Sequence, residues 1–223
     1  EEVWRAAGMD MSQVKFLWSS DEINNHAEEY WKIVLDIARR NSLARIKKCC
    51  TIMGKAEADL STAQILYPLM QCADVFFLKA DICQLGKDQR KVNMLAREYC
   101  DMIKRKLKPV ILSHHMLSGL KKGQAKMSKS DPDSAIFMED SAEDVARKIR
   151  GAYCPRVQQK KIETGAEDSG LPDADDEKNP VLDYIECIVL NTPGSTMDVD
   201  GKTFSAYADL EKAFLAEDIS EEA

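Results

Sequence analysis

The sequence lacks long apolar runs, since no segment approaches the 18 consecutive apolar residues that a membrane-spanning helix requires. It has only three histidines, His26, His114 and His115, which argues against a zinc site. No two of the seven cysteines have C-x-x-C spacing, and their number is odd. Residues 1–10 do not resemble a secretory signal, so we expect reduced thiols in a cytoplasmic protein with no tightly bound metal and no membrane association.

The sequence also has fewer basic than acidic residues, which gives a net charge of -7. A protein that coats nucleic acid is usually basic, so any contact with RNA must be local. The acidic excess comes from residues 163–177, where seven acidic side chains stand among glycine and proline. This composition is typical of a solvated surface insertion, which we assign to residues 156–178.

The rest of the sequence alternates short apolar runs with segments of helical periodicity. Strands are predicted at residues 14–18, 82–85 and 109–112, the first and last of them buried. Helices are predicted at residues 26–40, 43–52, 61–79, 88–106, 145–150, 179–190 and 206–215. This order predicts an α/β domain with a Rossmann-like parallel sheet over residues 1–155, followed by the start of a helical domain over residues 179–223.

Three polar residues share one face of the apolar helix predicted at 61–79. Tyr67, Gln71 and Asp74 stand at i, i+4 and i+7. A helix this apolar is expected to be buried, so the phenol, the amide and the carboxylate on its face all need partners. They form either an internal hydrogen-bond network or a ligand pocket, in which the amide and the carboxylate would hold an ammonium group and a hydroxyl. Pro68 indicates a kink in the helix, or its beginning.

A turn from strand to helix follows at residues 86–91. Doubly wound sheets place ligands at such turns. Gly86 permits a close approach of the backbone, Asp88 could accept hydrogen bonds from ribose hydroxyls, and Gln89 could bind an amino acid. An ordinary turn with Asp88 at the start of the helix explains the same residues.

A lysine- and serine-rich loop at residues 125–132 follows the strand at 109–112. Two lysines separated by a short spacer, with two serine hydroxyls, can surround a polyphosphate. Gly119 and Gly123 would give such a loop the mobility of a closing lid. The other interpretation is a solvated basic loop.

The string Lys126-Met127-Ser128-Lys129-Ser130 is identical to the KMSKS signature of class I aminoacyl-tRNA synthetases. It occurs with the Tyr67, Gln71 and Asp74 pattern, with the Gly-x-Asp-Gln-Arg-Lys segment at 86–91 and with Ala-Tyr-Cys-Pro at 152–155. Taken together, these motifs resemble tyrosyl-tRNA synthetase of the eukaryotic and archaeal type, over residues 14–215. The fold that this implies is the C-terminal part of the class I catalytic domain.

The resemblance also implies roles for individual residues. Tyrosine would be bound at its α-amino group by Tyr67 and Gln71, at its phenol by Asp74, and along the pocket by Gln89. The ATP site would comprise Gly86 and Asp88 at the ribose, Met116 and Leu117 at the adenine, and Lys126, Met127, Ser128, Lys129 and Ser130 around the phosphates. Lys126 and Lys129 would be the catalytic residues.

The implied activity is that of a tyrosine–tRNA ligase in protein biosynthesis. The tyrosine carboxylate would attack the α-phosphorus of ATP, giving tyrosyl-adenylate and pyrophosphate, and tRNA(Tyr) would then take the tyrosyl group. ATP would be a substrate accompanied by Mg2+. Synthetases of this type usually dimerise, so a homodimer or pseudo-dimer is expected in the parent protein.

One family signature is missing from the sequence. Residues 1–13 contain no histidine, so the His-x-Gly-His part of the ATP site and a further pocket tyrosine are absent. We therefore expect the isolated 223-residue stretch not to activate tyrosine. Two alternatives stay open: a tryptophanyl-tRNA synthetase, and a non-catalytic synthetase-like module that binds partners or RNA.

Overall fold

The computed structural model describes residues 1–50, 60–124, 127, 131–156 and 179–220, which fall into two compact units. The first unit comprises Glu1–His115, and the second begins at Met116. The first unit contains helices α1 (Glu2–Ala6), α2 (Ser19–Asn25), α3 (Ala27–Arg40), α4 (Leu43–Lys47), α5 (Thr62–Phe77) and α6 (Arg90–Met102), and strands β1 (Ile82–Gly86) and β2 (Val110–His114).

The first unit is built around a strand–helix–strand arrangement. Strands β1 and β2 pair in parallel, with Ile82 opposite Val110 and Gly86 opposite His114. Parallel neighbours need a crossover connection, and α6 provides it. Because the carboxyl ends of both strands meet at one edge, the turn after Gly86 lies where α/β sheets place ligands. The predicted α/β fold with a parallel, Rossmann-like sheet is confirmed.

Helix α3 packs on α5, and α5 packs on α6, around the core of the first unit. The buried stripe of α3 consists of Tyr30, Val34 and Ile37, which follow i, i+4 and i+7 spacing. Glu28 and Glu29 in the first turn, with arginines in the last turn, also match the helix dipole. Apolar periodicity thus brings one face of α3 against the helix that carries the polar triplet.

The predicted buried strand at residues 14–18 is wrong. The segment is extended at Val14 and Trp18 but has no strand partner among the described residues. Phe16 and Trp18 are exposed, and Phe16 makes edge-to-face contacts with Trp4 and Trp18. Apolar character alone predicted a strand here, but a strand also needs a neighbour for its backbone groups.

The strand predicted at residues 109–112 is confirmed as β2, but its predicted burial is wrong. Val110 and Leu112 are 52% and 49% exposed, and Ile82 beside Val110 is exposed as well. Cys83 and Ile111, on the other side of the sheet, lie in the core. Since neighbouring side chains of a strand point to opposite faces, β2 buries only one face within the part of the chain that the structure describes.

Helix α5 begins well before Pro68, which lies in its interior. Ser61 and Gln64 close the N-terminus as a capping box. Proline has no N–H, so the carbonyl of Gln64 loses its helical partner. The thiol of Cys50 donates to that carbonyl at 3.3 Å, which compensates for the missing bond.

The second unit contains α7 (Ala142–Arg150), α8 (Pro180–Tyr184), β3 (Met197–Val199), β4 (Lys202–Phe204) and α9 (Tyr207–Leu215). A π-helical turn, Ile185–Val189, continues α8. The strands β3 and β4 correct the purely helical prediction for this region. They form an antiparallel hairpin whose two-residue turn, Asp200-Gly201, has positive φ at both positions. Asp-Gly is the sequence signal for such a turn.

Asn179 joins the two ends of the predicted acidic insertion. Its side chain caps α8 by accepting from the Val181 and Leu182 amides, and it donates to the Pro155 carbonyl at 3.0 Å. Residues 157–178 of the predicted insertion lie outside the described residues. Arg156 is described, and its guanidinium donates to the carbonyl oxygens of Phe214 and Ile219.

Among the described helices, none is long and apolar enough to cross a membrane.

Asp36 gives the first unit a predictable dependence on pH. Its carboxylate accepts from Tyr99 at 2.6 Å and from Arg40 at 2.7 Å, and these bonds lower the pKa of Asp36 to about 2. A lowered folded-state pKa means that Asp36 stabilises the fold above about pH 4, and that this contribution is lost as the pH falls toward 2. We expect Asp36→Asn to cost about 1–2 kcal/mol at pH 6, allowing for screening by solvent.

Urea unfolding of the wild type and of Asp36→Asn at several pH values checks this expectation. The stability difference between the two proteins should shrink steadily below pH 4. A difference that stays constant down to the lowest pH at which both fold would contradict it.

Candidate functional site

The polar triplet lies along α5 as the helical spacing predicted, but its members differ in exposure. Tyr67 is 48% exposed, so the prediction of a buried phenol is wrong. Gln71 and Asp74 are half-buried, one and two turns further along the helix. The oxygen Oε1 of Gln71 is buried and has no hydrogen-bond partner among the described residues. This face of α5 therefore presents the exposed phenol of Tyr67, the unpaired amide oxygen of Gln71 and the carboxylate of Asp74 within the described residues.

Asp74 has a protein partner that the sequence did not reveal. The hydroxyl of Tyr30, on α3, donates to Oδ1 of Asp74 at 2.8 Å. Burial raises the pKa of Asp74 above its usual value, and the bond from Tyr30 opposes that shift. Burial, together with this bond, raises the pKa of Tyr30, so its hydroxyl keeps its proton and remains a donor. Only the i, i+4, i+7 spacing of α3 could have indicated that Tyr30 faces inward.

The turn after β1 positions the second group of predicted residues. Gly86 ends β1 and precedes a single 3₁₀ turn, Lys87–Gln89, from which α6 continues. The amide nitrogen Nε2 of Gln89 donates to Asp88 at 2.9 Å, while its oxygen Oε1 is buried and has no hydrogen-bond partner in the part of the chain that the structure describes. The bond to Asp88 thus orients the Gln89 side chain, and its single acceptor atom, Oε1, accepts from none of the described residues.

These side chains are not a closed internal network. Buried polar atoms normally have partners, and each one left unpaired costs about 1–3 kcal/mol. The two amide oxygens of Gln71 and Gln89 are such atoms within the described ranges. Both belong to the first unit, Gln71 on α5 and Gln89 in the 3₁₀ turn that precedes α6. Two amide oxygens and a carboxylate on α5 and in this turn have the chemistry to bind an ammonium group and a hydroxyl.

The other residues assigned to the ATP site fall in the second unit or outside the described residues. Met116 and Leu117 belong to the second unit and are half-buried there. Met127 is described, and Tyr184 directs its hydroxyl to the Met127 sulfur at 3.8 Å. The remaining loop residues, Lys126, Ser128, Lys129 and Ser130, lie outside the described residues. Their phosphate-binding role stays a prediction.

A strand–helix–strand unit with a polar helix face beside it and a KMSKS string beyond it defines the class of protein. The model of the family described as tRNA synthetases class I (W and Y) matches residues 1–172. The chain belongs to this family.

Within this family of tryptophan and tyrosine enzymes, the relatives place the chain in the tyrosine branch, that is, among the tyrosine–tRNA ligases. Tyrosine–tRNA ligase 1, cytoplasmic, from Arabidopsis thaliana is 61% identical over 191 residues, which are 85% of this chain and 45% of that protein. Tyrosine–tRNA ligase 2, cytoplasmic, from the same plant is 55% identical over 216 residues, or 94% and 27% of the two chains. The motif-based resemblance to the tyrosine branch is confirmed, and the tryptophan alternative is not favoured.

A solved structure agrees with both the fold and the branch. The Leishmania major tyrosyl-tRNA synthetase in complex with tyrosinol is 69% identical, with a TM-score of 0.89, over 100% of this chain and 33% of that one. The chain therefore spans less than half the length of each of these relatives.

Proposed function

We propose that the protein carrying this chain is a tyrosine–tRNA ligase, and that the first unit contains its tyrosine-binding residues. The observation that carries the proposal is the pattern of satisfied and unsatisfied groups on α5 and in the turn after β1. Asp74 is held from one side by Tyr30, and Oδ2 accepts no hydrogen bond from the described residues and is not fully buried. This oxygen can accept from a substrate phenol, while Tyr67 and Gln71 contact the α-ammonium group and Gln89 lines the tyrosine pocket.

The reaction requires little covalent chemistry from the protein. The tyrosine carboxylate attacks the α-phosphorus of ATP, an anhydride bond breaks, and negative charge grows on the departing pyrophosphate. Positioning of the reactants and stabilisation of that charge supply the rate enhancement. We assign positioning to the first unit and charge stabilisation to Lys126 and Lys129, with Asp88 and Gly86 at the ribose and with Met116 and Leu117 at the adenine.

The partners of the whole protein follow from the same proposal. ATP is a substrate and arrives with Mg2+, and tRNA(Tyr) accepts the tyrosyl group from the adenylate. Two relatives have names that include the word cytoplasmic, which supports a cytoplasmic location. A homodimer or pseudo-dimer remains the expected state of the parent protein.

Amino-acid-dependent ATP–pyrophosphate exchange by the full-length protein tests the function. We expect exchange with tyrosine, and at least about 100-fold less with tryptophan at equal concentration, because the indole has no hydroxyl for Asp74. Exchange with tryptophan alone would overturn the tyrosine assignment. Saturable tyrosine binding without exchange would overturn the ligase and favour a binding module.

A further inference from the structure

We infer that Tyr30 of α3 is a positioning residue, which orients the Asp74 carboxylate for the substrate phenol and so contributes to the choice of tyrosine over phenylalanine. This inference rests on the proposed function, because it requires that Asp74 accepts a hydrogen bond from the substrate phenol. It adds a residue outside the motifs that carry the family resemblance.

The contact geometry makes Asp74 the acceptor of the Tyr30 proton. The Tyr30 hydroxyl lies 2.8 Å from Oδ1 of Asp74 and 3.2 Å from the carbonyl oxygen of Met70. A hydroxyl has one proton to donate, and an ionised carboxylate is a stronger acceptor than a carbonyl. Oδ1 therefore already accepts one bond from the protein, and Oδ2, which accepts none from the described residues, is the oxygen with more capacity for a ligand.

Tyr30 is held rigidly enough to fix the carboxylate. Its side chain is 1% exposed, within the core formed by α3 and α5. Its ring makes edge-to-face contacts with Phe77 at 5.4 Å and with Trp31 at 5.9 Å between centroids. An aromatic side chain confined in this way cannot withdraw its hydroxyl without disturbing the core. The carboxylate thus loses its freedom to rotate before the substrate binds.

Pre-organisation of this kind favours the substrate that uses it. A carboxylate fixed through Oδ1 presents Oδ2 in one direction, and a tyrosine phenol gains a charge-assisted hydrogen bond with little further loss of entropy. Phenylalanine makes no such bond, so it gains nothing from the fixed orientation. Loss of the Tyr30 hydroxyl should therefore weaken tyrosine selectively.

The test is Tyr30→Phe in the full-length protein, assayed by pyrophosphate exchange with tyrosine and with phenylalanine. We expect kcat/KM for tyrosine to fall about tenfold, with kcat/KM for phenylalanine and KM for ATP unchanged. Retained activity with phenylalanine shows at the same time that the variant has folded. An unchanged preference for tyrosine over phenylalanine would overturn the inference.

Tyr99→Phe is the matched control. Tyr99 is also buried, lies in the same unit, and donates its hydroxyl to Asp36 at 2.6 Å. Both variants remove one part-buried Tyr–Asp hydrogen bond, so both should lose stability. Only Tyr30→Phe should change the preference between the two amino acids. An equal change in both variants would assign Tyr30 a structural role alone.

A double-variant cycle with Asp74→Asn separates this inference from the proposed function. If Tyr30 acts through Asp74, adding Tyr30→Phe to Asp74→Asn should reduce the preference for tyrosine no further than Asp74→Asn alone. Additive losses would overturn the inference. If the wild type fails to activate tyrosine, the proposed function itself is wrong. If the wild type activates tyrosine but Asp74→Asn keeps the preference, Asp74 does not bind the phenol, and the inference about Tyr30 fails while the function stands.

Discussion

Replacing Asp74 with Asn should lower kcat/KM for tyrosine about 100-fold in pyrophosphate exchange by the full-length protein, and lower the preference over phenylalanine by the same factor. The amide has one acceptor oxygen where the carboxylate has two. Tyr30, at 2.8 Å, and the substrate phenol are both donors, so one of them would face the amide nitrogen. Hydrogen bonds to a charged group contribute about 1.5–3 kcal/mol, and an opposed pair of donors adds a desolvation cost.

Asp36→Asn is the matched control for this substitution. It makes the same chemical change in the same unit, at a carboxylate that also accepts from a tyrosine, Tyr99. We expect it to reduce stability and to leave the amino-acid preference unchanged. If Asp74→Asn retains the preference for tyrosine, Asp74 does not bind the substrate phenol.

Replacing Lys129 with Ala should slow adenylate formation about 10²–10³-fold in a single-turnover assay of the full-length protein, with little change in the affinity for tyrosine. The ammonium group stabilises charge that develops on pyrophosphate in the transition state, so its loss should appear in the rate of the chemical step. Lys126→Ala should act in the same direction.

Lys121→Ala provides the corresponding control. Lys121 stands just before the KMSKS string and pairs with Asp131 at 2.7 Å. The pair is solvent-exposed on the Lys121 side, so its loss should cost at most about 1 kcal/mol of stability and leave the chemical step unchanged. If Lys129→Ala forms the adenylate as fast as the wild type, Lys129 does not stabilise the phosphates.

The elements that sequence patterns predicted best are those whose signals are local. Helix α5 and its start at Ser61 follow from apolar periodicity, and β1 follows from a short apolar run that ends at Gly86. The hairpin of β3 and β4 also had a local signal, Asp200-Gly201, which the helical prediction overlooked. Residues 14–18 had the composition of a strand, but pairing is a long-range property that composition does not carry.

The sequence by itself determined the family, the α/β class and the shared face of Tyr67, Gln71 and Asp74, because each depends on residue identity and spacing along one segment. Tertiary structure decided which of these polar groups are satisfied. It placed Tyr30, 44 positions before Asp74 in the chain, against that carboxylate, and it left Tyr67 exposed. Hydrogen-bond partners depend on how helices pack, and no spacing within α5 could have named a residue of α3.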